Sequence, residues 1–172
     1  MSRSCILSKD EKRFLELYDG MSVLCAKNGW GDPHSYARGK EINASIRLGH
    51  SVSPTLSGAD AYDADGLPVE YKSTIAKNCK GTYTGISKQS TWDEQVKHLQ
   101  EEKIGKYHEH YYNRFCRNGG LLESWKMASD KVLALLLPKV KKSFDNSSTQ
   151  ADPRLRGDIS WTEIKKYGTQ VI

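Results

Sequence analysis

Gly58-Ala59-Asp60-Ala61-Tyr62-Asp63-Ala64-Asp65-Gly66-Leu67-Pro68-Val69-Glu70-Tyr71-Lys72 is the stretch on which the reading of the fold turns. From Gly58 the pattern has period two. Asp60 to Ala64 read as a short strand, Asp65-Gly66 as a turn, and Val69 to Ile75 as the returning strand of a hairpin. Side chains two apart on a strand share a face, so Glu70 and Lys72 stand side by side, roughly 7 Å apart, and the turn brings Asp60 back toward them. Val69, Tyr71 and Ile75 take the other face. Two carboxylates converging near an ammonium suit a hard divalent cation and an anionic ester: the oxygens bind Mg²⁺, and the lysine neutralises charge or orients a water. Phosphodiester hydrolysis is the natural reaction of such a set. The bare pattern is nevertheless common. With Asp, Glu and Lys each at roughly 6% of average composition, the same residues also read as a solvated strand face with a cross-strand ion pair.

Upstream, Ser8 with Glu11 forms a capping box, and Phe14, Leu17, Tyr18, Met21, Leu24 and Cys25 recur at helical spacing until Asn28-Gly29. This apolar stripe packs on a core or supplies a dimer contact. Gly29 to Pro33 read as a turn, and a second helix runs from about Tyr36 to Leu48, closed by Gly49. Downstream, Lys80 to Gly85 read as a Gly-rich loop, and Thr91 with Glu94 opens a helix to about Gly105. Strands are expected at His110–Arg117 and Leu121–Met127 around the turn Asn118-Gly119-Gly120. Ser129 caps a helix carrying Val132, Leu133, Leu136 and Val140, which Pro138 kinks or divides and which ends near Phe144. Asp145 to Asp158, polar and with Ser-Ser and Asp-Pro steps, reads as a loop. Ser160 with Glu163 opens a short helix closed by Gly168, and Thr169–Ile172 read as an edge strand. The sum is an α/β domain with a central mixed β-sheet flanked by helices.

Composition agrees with one domain over residues 1–172: 37% hydrophobic residues, four Trp and nine Tyr are too many for a disordered chain, despite a mean hydropathy of −0.66. The longest apolar stretch, Val132 to Leu137, is far short of the about 20 residues that cross a bilayer. Met1 to Ser8 lack the apolar core of a secretory signal, so the four cysteines are expected as thiols in a reducing, intracellular and cytoplasmic setting. A net charge of +5 suits an acidic partner such as nucleic acid, although a mixed-charge solvated surface has the same balance.

Three stretches together resemble the type II restriction endonucleases of the PD-(D/E)XK nuclease superfamily. These are Gly58–Ser73, with its Asp-x9-Glu-x-Lys spacing; Lys80-Gly81 and the loop after it; and Ile159–Ile172, ending Tyr-Gly-Thr-Gln-Val-Ile. Weaker similarity in the first helix and at Asp32 extends the resemblance over most of the chain. It implies a restriction-endonuclease-like fold and Mg²⁺-dependent hydrolysis of double-stranded DNA at a short palindromic site. It further implies a homodimer in which the helix over 8–28 is a dimerisation element, with no nucleotide cofactor. Asp60 and Glu70 would bind Mg²⁺ with help from the Tyr71 carbonyl, and Lys72 would be the catalytic lysine. Asp32, Tyr83, Thr84, Ser87, Arg154 and Arg156 would face the DNA. Two departures stand out. An acidic residue of the family is Ser57 here, which leaves the number of metals per site open. The family's base-reading histidines fall at Ile86 and Ser87, so recognition has changed. Arg154 and Arg156 suit bidentate contact with guanine, and they equally suit phosphate contact or a solvated loop. A structure-selective nuclease of the same superfamily and a non-catalytic DNA-binding module are the other readings.

The remaining candidates carry less. Cys79, His98, His108, His110 and Cys116 lack the paired spacing of zinc sites, and they read as free thiols and polar histidines, with His108 and His110 on one polar strand face. Lys139, Lys141 and Lys142 form a basic run that suits phosphates or solvent. Trp92, Trp125 and Trp161 read as core. No nucleophile elbow, P-loop or dinucleotide fingerprint occurs.

Overall fold

The computed structural model describes residues 7–55, 57–146 and 154–172. Helix α1 (Lys9–Asn28) starts at the expected capping box: Glu11 N–H donates to Ser8 Oγ while the Glu11 carboxylate accepts the Ser8 N–H at 2.6 Å. It ends at Gly29, whose φ of 67° closes the last turn. Of this helix only Cys25 is buried, and Phe14, Leu17, Met21 and Leu24 remain about half exposed or more. Helix α2 (Arg38–Leu48) follows. The capping boxes at Thr91 and Ser160 likewise open α3 (Trp92–His98) and α5 (Trp161–Tyr167). A wide i→i+5 turn, closed by Ile104 N–H on the Leu99 carbonyl at 2.8 Å, extends α3 through Lys103.

A six-stranded mixed sheet runs in the order β1 (Ser51–Val52), β2 (Ala61–Tyr62), β3 (Pro68–Thr74), β5 (Glu109–Phe115), β6 (Leu121–Ala128) and β8 (Thr169–Gln170). Only β3 and β5 are parallel, with Glu70 opposite His110 and Lys72 opposite Tyr112. Helix α2 covers one face, where Ala44 meets Val69, Tyr71, Tyr111 and Phe115. The other face lies under α4 (Ser129–Asp145), α5 and a second, two-stranded sheet of β4 (Gly81–Ile86) and β7 (Leu155–Ile159).

Several expectations are corrected. Within the expected Lys80–Gly85 loop, all residues after Lys80 belong to β4, and the end of the expected Asp145–Asp158 loop is β7, whose Leu155, Gly157 and Ile159 are buried while Arg156 and Asp158 point out. The Ser-Ser and Asp-Pro steps within 147–153 lie outside the described residues. The strand expected over Asp60–Ala64 shrinks to Ala61–Tyr62 because Asp63 Oδ1 accepts the N–H groups of Asp65 (3.0 Å) and Leu67 (2.9 Å), folding the chain into a turn. Ile75 lies beyond β3 and is exposed. Ser129 does not cap α4 but is its first residue, its hydroxyl donating to the Tyr107 carbonyl. Pro138 does not divide α4, whose face of Val132, Leu136 and Val140 is fully buried and holds the helix together. Trp92, Trp125 and Trp161 pack against the main core as expected. No described helix is long and apolar enough to cross a membrane.

Candidate active site

Strand β2 is only two residues long, so the ladder it forms with β3 stops before Tyr71. The Asp60 backbone N–H donates to the Val69 carbonyl (3.1 Å), and where the ladder stops the Asp60 side chain takes over, its Oδ2 accepting the Tyr71 N–H at 2.6 Å. The N–H and C=O of a strand residue point to the same edge, so the Tyr71 carbonyl faces the Asp60 side as well. One residue either way, the side chains turn to the opposite face from Tyr71. There Glu70 accepts a hydrogen bond from the Lys72 ammonium, with both side chains largely shielded. Asp60, Glu70, Lys72 and the Tyr71 carbonyl thus converge at one edge of β3.

A cleft of about 310 Å³ opens over Glu70 and Lys72, walled by Gly58, Thr84, Lys106 and Tyr107 among others. Tyr107 and the two lysines Lys103 and Lys106 were not singled out from sequence. The Tyr107 hydroxyl donates to the Gly58 carbonyl at 3.0 Å and so braces the loop that carries Asp60; an aromatic residue just ahead of a strand was the one available signal.

Burial first, then the nearby Glu70 and Glu41 carboxylates, push the Asp60 carboxyl up to about 7, against the opposing pull of the Tyr71 N–H and Lys72. Among the described residues, no group of three or more His, Cys, Asp or Glu side chains could hold a metal ion; the oxygen groups at this edge are the Asp60 and Glu70 carboxylates and the Tyr71 carbonyl. All are hard oxygens, the donor type that a divalent cation of the Mg²⁺ class takes. The same displacement has a consequence for stability. An acid whose folded value lies above its unfolded value of 3.8 favours folding below that value, and the benefit is lost as pH rises toward about 7. Asp60→Asn removes this loss. In EDTA its melting temperature is expected to exceed that of the wild type at pH 8 by several degrees more than at pH 4, and parallel pH profiles would refute the assignment.

The other expected site residues divide. Thr84 and Ser87 are exposed on and just after β4, and Arg156 is exposed on β7 with Arg154 just before it. Arg154, Arg156, Lys139 and Lys142 line a second cavity of about 510 Å³. Lys139 is held by Glu163 at 2.7 Å, and Lys141 pairs with Asp145. Asp32 is exposed in the turn after α1, accepts the His34 N–H at 2.9 Å, and lines a different cavity with Ser22 and Pro33. Tyr83 points inward. It is only 6% exposed, and its hydroxyl is engaged by His110 and Tyr112. Ile86, where the resembled family reads bases, is 2% exposed. His108 and His110 do not form one polar face: His108 pairs with Asp63 at 3.0 Å, whereas His110 is fully buried.

The sequence matches no family model and no curated protein. Function must therefore be argued from this geometry.

Proposed function

We propose that the protein is a Mg²⁺-dependent type II restriction endonuclease of the PD-(D/E)XK superfamily, hydrolysing double-stranded DNA at a short palindromic site. The observation that carries the reading is Asp60 beside the Glu70–Lys72 pair at one edge of β3, where a cleft opens over Glu70 and Lys72, with the Asp60 carboxyl pushed up to about 7 by burial and by Glu70. Asp60, Glu70 and the Tyr71 carbonyl are the groups that would hold Mg²⁺. When bound, the ion supplies Lewis-acid polarisation of the phosphate and favours ionisation of water. Lys72 neutralises the negative charge that grows on the phosphate oxygens, or orients the water. Hydrolysis breaks one P–O bond, with the oxygen of the attacking water joining phosphorus and a proton passing to the departing sugar oxygen.

Thr84 and Arg156 project from the exposed side of the β4–β7 ribbon. A two-stranded ribbon fits the major groove, and Ser87, Arg154 and Asp32 extend the DNA-facing set. Should Arg156 read a base edge, Arg156→Ala costs about 1–3 kcal/mol on the cognate duplex and little on random DNA. Equal loss on both, with a shallower salt dependence, reassigns it to a phosphate.

A palindrome has two-fold symmetry, which a C2 dimer matches with one active site per strand. The exposed stripe of Phe14, Leu17, Met21 and Leu24 on α1 is the contact we assign to it. Sedimentation is expected to give a dimer, converted to monomer by Met21→Glu; a wild-type monomer both free and on DNA rules this out.

Digestion of a long DNA of known sequence with Mg²⁺ tests the whole reading. Discrete bands support it, nicking or smearing points to a structure-selective nuclease, and no cutting leaves a DNA-binding module whose Glu70–Lys72 pair is structural.

A further inference from the structure

The Lys72 ammonium lies over the ring of Tyr83, 5.0 Å from its centroid, within cation–π range. Its side chain, 22% exposed, is bracketed by the Glu70 carboxylate of its own strand and by this ring from β4. A lysine has a flexible four-carbon stem, so two such contacts fix where its charge sits.

Tyr83 is itself fixed, and the direction of each hydrogen bond can be worked out. The Ile104 carbonyl only accepts, so His110 Nε2, 3.2 Å away, carries the proton and donates to it. Burial first, and then the Lys72 charge, depress His110 to about 3, so the ring is neutral and Nδ1 must accept. Tyr83 therefore donates its hydroxyl proton to His110 Nδ1 at 3.0 Å, and Tyr112 donates to the Tyr83 oxygen, also at 3.0 Å. This one-way relay, Tyr112 to Tyr83 to His110 to Ile104, satisfies each hydroxyl and both ring nitrogens. Tyr112 and His110 lie on β5 opposite Lys72 and Glu70 respectively, so the relay runs beneath the ion pair.

We propose that Tyr83 is a positioning residue for Lys72. Its ring holds the ammonium in the cleft, the core packing around Tyr83 holds the ring, and the relay satisfies the buried hydroxyl. Tyr83 stands opposite Gly157 on β7, one residue from Arg156, so the ribbon whose outer face is assigned to DNA carries the support of the catalytic lysine on its inner face. The role in cleavage rests on the nuclease reading; the placement of Lys72 does not.

The test separates the two. NMR of the full-length protein, without metal or DNA, reads the Lys72 Cε methylene protons. We expect a ring-current upfield shift in the wild type, kept in Tyr83→Phe and lost in Tyr83→Leu. An unshifted Lys72 in the wild type overturns the proposal whether or not the protein cuts DNA. In single-turnover cleavage, Tyr83→Leu is expected to slow the reaction about tenfold with Ca²⁺-supported DNA binding unchanged, and Tyr83→Phe to recover most of that loss. Equal losses in the two variants would show that the hydroxyl relay, not the ring, matters, and would overturn it. A wild type that binds or cuts no DNA refutes the nuclease reading and leaves the NMR result to decide the placement.

Discussion

Lys72→Ala is expected to slow DNA cleavage by at least a hundredfold while leaving site-specific binding intact. Lys72 shares a strand face with Glu70 and reaches the cleft, whereas Arg154 and Arg156 line a different cavity. Its charge matters most where negative charge builds on the phosphate, so its removal takes away an interaction that strengthens in the transition state. The loss of one such preorganised donor is roughly 2.7–4 kcal/mol. Binding measured with Ca²⁺ in place of Mg²⁺ is expected to survive, because the proposed groove contacts do not include Lys72. Asp60→Asn differs, since it withdraws a proposed metal ligand: cleavage and the Ca²⁺ stimulation of binding should fall together. A folded Lys72→Ala that cuts at the wild-type rate would reduce Glu70–Lys72 to an ion-paired strand face.

The second large effect is on stability and comes from Arg38. This side chain is 1% exposed. Nε donates to the Trp30 carbonyl at 2.6 Å, Nη2 to the Ser53 carbonyl, and Nη1 pairs with Glu41 at 3.2 Å. One guanidinium thus ties the turn after α1, helix α2 and the loop leading to Asp60. Arg38→Ala leaves two carbonyls and a shielded carboxylate without their partner, at a cost on the order of 3–5 kcal/mol. Lysine is a poor replacement, since a point charge cannot span three acceptors in different directions. Urea unfolding checks this, and a loss below about 1 kcal/mol would contradict it. Glu41 is also one of the charges acting on Asp60, so the variant should alter the site even where it folds.

What could be read in the sequence was what local chemistry controls. The three capping boxes act within four residues, and each is formed. The Asp60…Glu70-x-Lys72 set was legible because strand period and a turn suffice to bring it together. Arg38 was not, since Ala-Arg-Gly-Lys reads as an ordinary charged first turn and the two carbonyls it binds lie 8 and 15 residues away. Strand β7 was hidden for a related reason. Arg156, Gly157 and Asp158 carry loop-like chemistry, and the strand exists because Gly157 lets it lie against α4, where a Cβ would come within 3.0 Å of Leu136 and 3.2 Å of Val140. His110 and Tyr83 gave no sign of their burial because the relay joins residues 27 apart.

The β4–β7 ribbon forms a sheet of its own, separate from the six-stranded one. Its inner residues, Tyr83, Ile86, Leu155 and Ile159, are rooted in the main core, while Thr84 and Arg156 touch solvent. Alternation along two short strands thus separates two kinds of evolutionary constraint. Inner positions answer to folding and to the placement of Lys72, and on the proposed function the outer positions answer to the DNA. On that proposal, libraries varied at Arg156 are expected to shift target preference without eroding the scaffold, because its side chain stands outside the packed core.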